Sequence, residues 1–249
     1  MLYYNFFDYF CTAKLIILYG MKVKKMTFLL LFFATLTSCQ AQDAKNQSND
    51  MQKKYYVLIE TSYGNMTAEL YNETPKHRDN FIKLVNEGFY DGLIFHRVIN
   101  NFMIQGGDPN SRDAKPGQML GNGNLGYTVP AEFVPGLIHR KGALAAARQN
   151  DMVNPTKASS PCQFYIVQGN VWPAERLQMM AQQMGNTFDK QQMEAYTTVG
   201  GTPHLDYDYT VFGQIIEGLD VIDKIAAVKC GAGDRPIEDV KMKIKVIER

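Results

Sequence analysis

Phe95-His96-Arg97-Val98-Ile99-Asn100-Asn101-Phe102-Met103-Ile104-Gln105-Gly106-Gly107-Asp108 is the stretch on which the reading of this chain turns. Apolar residues alternate there with large polar ones, and the run stops at a Gly-Gly turn. Successive strand side chains point to opposite faces, so the pattern predicts two short strands with one face in a core and the other on an exposed surface. Arg97, Phe102 and Gln105 would then lie beside one another as a cationic fork, an aromatic wall and an amide that both donates and accepts.

Three further segments follow in order: Ala147-Arg148, Gln163-Phe164-Tyr165-Ile166, and Leu205-Asp206-Tyr207-Asp208-Tyr209-Thr210-Val211-Phe212-Gly213. Together with the first stretch they resemble the cyclophilin family of peptidyl-prolyl isomerases. The likeness runs from about residue 55 to 249 and is densest in 89–109, 142–168 and 205–225. It implies a closed eight-stranded antiparallel β-barrel capped by two α-helices, acting on proline-containing peptides. It also implies catalytic roles for Arg97, Phe102 and Gln105. Met103, Phe164 and Leu205 would complete an apolar pocket, Ala147 and Arg148 a peptide-binding edge, and Gln163 and Tyr209 the rim, with His96 buttressing Arg97. From periodicity alone, Phe102, Met103 and Phe164 read equally as core.

The chain departs from the family pattern at three places. His204 stands where many members carry tryptophan before the pocket leucine, Tyr209 where eukaryotic members carry histidine, and Arg148 where asparagine is frequent. The tryptophan contributes to binding of the cyclic peptide cyclosporin in the family, so the resemblance implies weak inhibition here.

The length of 249 residues allows one large domain or two small ones, and a net charge of +1 without a basic block in the folded part gives no reason to expect nucleic acid. Cys11, Cys39, Cys162 and Cys230 lack metal-ligand spacing, and His77, His96, His139 and His204 are scattered singly, so no metal is expected. Whether Cys162 and Cys230 pair or stay free is open.

The N-terminus reads as a targeting segment. Residues 21–25 are basic, 28–33 are an unbroken apolar run too short to span a membrane, and Leu36-Thr37-Ser38-Cys39 resembles a bacterial lipobox with Cys39 as the lipidated residue. An ordinary secretory signal cut near Ala41, or an uncleaved anchor, is the alternative. The expected organisation is a doubtful extension over 1–20 with Met21 as the true start, a signal peptide over 21–38, a polar tether over 39–54, and the isomerase domain over 55–249. This places a monomer in the cell envelope, its domain in the periplasm or on the outer surface, acting on unfolded exported proteins.

Within the domain, strands are expected over 56–61 and 66–71, around a turn at Tyr63-Gly64-Asn65. Thr74-Pro75 predicts a helix start with Thr74 as N-cap, Phe81, Leu84 and Val85 its apolar face, and Gly88 its stop. Residues 110–126 read as a long loop; 142–147, 163–168, 210–216 and 240–247 as strands; 219–226 as a helix. Residues 173–200 are an insertion predicted to form a helical hairpin. Its Met-rich stripe either packs on the barrel or overhangs the groove.

The implied reaction is rotation about an Xaa-Pro peptide bond, against a resonance barrier of about 18–20 kcal/mol. No bond to carbon breaks, so no nucleophile, metal or cofactor is called for. The competing readings are a peptide-binding holdase with little turnover and a structural envelope lipoprotein.

Overall fold

The computed structural model describes residues 53–185 and 187–249. The expectations for 1–20, for the signal over 21–38, for Cys39 and for nearly all of the tether fall outside the described residues. Within them the strands are β1 (Tyr55–Thr61), β2 (Gly64–Leu70), β3 (Phe95–Ile99), β4 (Met103–Gly106), β5 (Ala143–Ala146), β6 (Phe164–Val167), β7 (Val211–Glu217) and β8 (Met242–Ile247). The helices are α1 (Pro75–Asn86), α2 (Ala174–Met184), α3 (Lys190–Thr198) and α4 (Leu219–Ala226). The strands form one antiparallel sheet in the order β3-β4-β6-β5-β7-β2-β1-β8.

The closed barrel expected from the sequence is corrected by this order. The sheet is open, with β3 and β8 as its edges, and folds into a half-barrel. The edges meet only at one end, where the Phe95 amide donates to the Val240 carbonyl at 2.9 Å and Met242 to Leu93 at 2.8 Å. Beyond that point the segment before β8, with its short 3₁₀ turn Ala232–Asp234, lies against β3. The Cys230 thiol donates to the Val98 carbonyl there at 3.5 Å. A covered edge needs no further strand.

Strand periodicity distributes the apolar residues between two cores. Phe95, Val98, Ile104, Leu144, Ala146, Phe164 and Ile166 face the main core, together with Phe81, Leu84 and Val85 of α1 and Val221, Ile222 and Ile225 of α4. Met103, Ala143, Ala145, Ala147, Tyr165, Val167 and Val211 face the opposite side. A register shift between Phe95 and Arg97 inserts His96 as an extra residue, so that Phe95 and Val98 both reach the main core while Arg97 pairs with Gln105. Bulges re-aim side chains in this way.

Helix α1 begins at Pro75 as its sequence predicts, but Thr74 supplies no side-chain cap. Instead the Glu132 carboxylate, far away in sequence, accepts from the Lys76 and His77 amides at 3.1 and 3.0 Å. A carboxylate at a helix N-terminus satisfies orphan donors and complements the helix dipole. The insertion forms the expected hairpin: α2 ends at left-handed Gly185 and α3 opens with an Asp189–Gln192 capping box. Leu177 and Tyr196 pack with Ile138, Trp172 and Phe188 in a third apolar cluster beside the sheet. Cys162 is buried, Cys230 is exposed, and both are free thiols.

Gly107, at φ +88°, ends β4, and a Cβ there would lie 2.1 Å from the Cys162 carbonyl oxygen. Gly107→Ala is therefore expected to destabilise the domain by roughly 1–3 kcal/mol, measured as a lower urea midpoint with an unchanged slope.

Candidate active site

The two-sided use of β3 to β6 sets Arg97, Met103, Gln105 and Tyr165 on the same outer face. Asn101 takes a left-handed φ of 62° and the Phe102 amide closes the turn on the Ile99 carbonyl at 3.1 Å, which brings Phe102 round beside Met103. The result is a hollow of about 170 Å³ lined by Arg97, Phe102, Met103, Gln105, Ala147, Arg148, Tyr165, Leu205 and Tyr209. Small residues on and just after β5 leave the space: Ala143, Ala145 and Ala147 all face this side.

Eight of the expected site residues meet here: Arg97, Phe102, Met103, Gln105, Ala147, Arg148, Leu205 and Tyr209. Three do not. Phe164 belongs to the main core, where its ring packs edge-on to Phe81, Tyr90 and Phe95, and it is corrected by its neighbour Tyr165. A shift of one residue along a strand exchanges the faces. Gln163 is buried behind Gln105: its amide nitrogen donates to the Gly121 and Gly123 carbonyls at 3.0 and 2.9 Å, and its oxygen accepts from Gln105 at 3.2 Å. His96 sits in its bulge, 3% exposed, with neither ring nitrogen hydrogen-bonded, so its ring makes no polar contact with Arg97.

The Arg97 side chain is 42% exposed, and it pairs at 3.4 Å with Asp234, which is exposed too. Such a pair is worth about 0–1 kcal/mol and yields readily to a ligand. Arg148 behaves differently. Its guanidinium stacks 4.5 Å over the Tyr209 ring, donates to the Asp208 carbonyl at 2.7 Å and pairs with Asp151. Its side chain is committed to the rim, leaving its backbone for a peptide. His204 stacks on Phe102 at 5.8 Å, occupying the flank where the family often has an indole.

A second groove of about 400 Å³ continues past Gln105, Ala147 and Arg148 between the loops around 121–124 and 149–158. The first loop is held by Asp108, which is fully buried and accepts from the Asn110, Gly121 and Gly123 amides. Sequence reading missed Asp108, although an aspartate after Gly-Gly is a turn signal.

With this geometry in view, comparison with known proteins is informative. The family described as "Cyclophilin type peptidyl-prolyl cis-trans isomerase/CLD" matches residues 56–246. Proteins named for peptidyl-prolyl cis-trans isomerase activity from Staphylococcus saprophyticus and Staphylococcus aureus are 36% and 38% identical, covering 77% and 76% of this chain and 91% and 89% of their own. A Streptococcus pyogenes protein named as a bifunctional phosphatase and isomerase is 40% identical over 74% of this chain, which spans 37% of that protein's length. The crystal structure of a Cryptosporidium parvum cyclophilin-type isomerase superposes with a TM-score of 0.58 at 25% identity, covering 79% of this chain and 99% of that one. The chain belongs to the cyclophilin-type peptidyl-prolyl cis-trans isomerases, and its activity is that of an isomerase of this type.

Burial holds the His96 imidazole at about 4, below its ordinary 6.5, against the opposing pull of Asp108. The unfolded chain therefore binds a proton below pH 6.5 that the folded protein refuses. Stability from this residue is complete above pH 6.5 and falls by about 3 kcal/mol as pH drops to 4. Burial lowers His77 and His204 as well, and these contributions are common to wild type and variant. Urea unfolding of His96→Asn between pH 7 and 4 should accordingly show a shallower loss of stability than wild type.

Proposed function

We propose that this domain isomerises Xaa-Pro bonds in exported proteins, with Arg97, Phe102 and Gln105 as its catalytic residues. The observation that carries this reading is the convergence of a half-exposed guanidinium, an aromatic wall and the Gln105 amide on one hollow.

Rotation about the peptide bond breaks its resonance, which localises the lone pair on nitrogen. The Arg97 guanidinium is permanently charged and carries fixed donors, so it can donate to that lone pair or hold the proline's carbonyl. The ring lies against Phe102, Met103, Tyr165 and Leu205, and expelling water there strengthens the field of the arginine. Gln105, oriented by Gln163, and the backbone at Ala147-Arg148 grip the chain on one side so that only the other side turns. Gln163 thus works through Gln105, and Phe164 through the core beneath Tyr165. None of these steps calls for a metal or organic cofactor.

The lipobox-like Leu36-Thr37-Ser38-Cys39 supports anchoring of a monomer by lipid on Cys39, with residues 39–54 as tether and the domain in the periplasm or on the outer surface. Labelled palmitate should enter the full-length protein expressed in a bacterium that processes lipoproteins, and Cys39→Ala should abolish the label. Labelled Cys39→Ala would overturn the anchor.

Arg97→Ala is expected to lower kcat/KM on a Xaa-Pro tetrapeptide about a hundredfold or more, with circular dichroism unchanged. Turnover near wild type would remove Arg97 from the mechanism. Because His204 lies where an indole is frequent, cyclosporin should inhibit weakly; nanomolar inhibition would contradict this.

A further inference from the structure

Behind the hollow runs a chain of buried polar groups that the reaction itself does not use. The Tyr165 hydroxyl lies 3.0 Å from His139 Nε2, and His139 Nδ1 lies 3.0 Å from Asp206 Oδ1. The other Asp206 oxygen accepts from the Tyr196 hydroxyl at 2.7 Å and the Gln192 amide at 3.1 Å, and the His139 backbone amide donates to Oδ1 at 2.9 Å. All five side chains are buried, with His139 at 0% exposure.

The donors define one direction. A carboxylate only accepts, so His139 Nδ1 donates to Asp206, and in that tautomer of the neutral ring Nε2 accepts from the Tyr165 hydroxyl. At its far end the chain begins on α3, in the insertion, and at its near end it finishes on a ring that lines the hollow. Neither the hollow nor the groove beyond it is lined by a described residue of α2 or α3, so the insertion reaches the hollow through this chain of bonds. Asp206 also directly follows Leu205, a second wall of the hollow.

We infer that Tyr196 and Gln192 of the insertion, acting through Asp206 and His139, are positioning residues that fix the Tyr165 ring against the substrate proline. This rests on the reading of the hollow as the proline site. Satisfied buried networks of this kind hold one arrangement, because each broken link leaves a polar group unpaired in a low-dielectric interior.

The test is a double-mutant cycle on the full chain, read as kcat/KM on a Xaa-Pro tetrapeptide. Tyr196→Phe removes one oxygen and is expected to lower kcat/KM roughly threefold to tenfold, within the range of changes transmitted along packed networks. In a Tyr165→Phe background, where the link is already cut, Tyr196→Phe should have no further effect. Gln192→Met, which removes the second donor, should follow the same pattern and serves if Tyr196→Phe fails to fold. Additive losses, or single variants within twofold of wild type while folded, overturn the inference. Arg97→Ala in the same assay separates the two readings: if its turnover is lost and Tyr196→Phe is silent, the positioning role alone falls. If Arg97→Ala turns over like wild type, the site reading falls and takes this inference with it.

Discussion

Strands β3 to β6 carry core side chains on both faces, with only Arg97, Ile99 and Gln105 partly exposed, and the placement of their site residues follows from that constraint. One face must complete the main core with Phe95, Val98, Ile104, Leu144, Phe164 and Ile166. The other is left for Met103, Ala145, Ala147 and Tyr165. With a side-chain period of two, no residue can change its task without its neighbours changing theirs. The His96 bulge breaks the period in β3, and it turns Arg97 outward without costing the core either Phe95 or Val98. The protein keeps a nearly unpartnered imidazole there, a local expense borne by an otherwise well-packed sheet.

Around this face the polar groups divide into two kinds. Arg97 and Gln105 are loosely held, by a long exposed ion pair and a 3.2 Å amide contact, and remain able to meet a ligand. Arg148, Asp108 and Asp206 are saturated by protein partners and act as framework. The charge of a residue therefore says little about its role here. What matters is how many of its hydrogen bonds are already made.

Much of this was legible in the sequence because alternation is a strong signal where both faces are filled. The six strands given bounds fall within a residue or two of them, the signature stretch holds its two short strands, and α4 coincides with its prediction at 219–226. The hollow was legible through Arg97, Phe102, Met103 and Gln105, which the hairpin brings together locally. Other features depend on distant partners and leave no local trace. Phe164 and Tyr165 are both aromatic neighbours, so composition could not say which faced outward. Glu132 replaces Thr74 as the helix cap from another loop. Closure of the barrel depends on whether β3 meets β8 or is screened by the turn at Ala232–Asp234, and no periodicity encodes that choice.

Strand order carries a last implication. β1, the first strand, lies between β2 and β8, the last, and Tyr56 pairs with Ile247. The first and last strands of the domain are thus zipped side by side. Loop-closure entropy must be met before such long-range pairing is rewarded. The sheet of a nascent copy therefore stays incomplete until β8 has been made, so the first strand waits for the last before both its edges are paired.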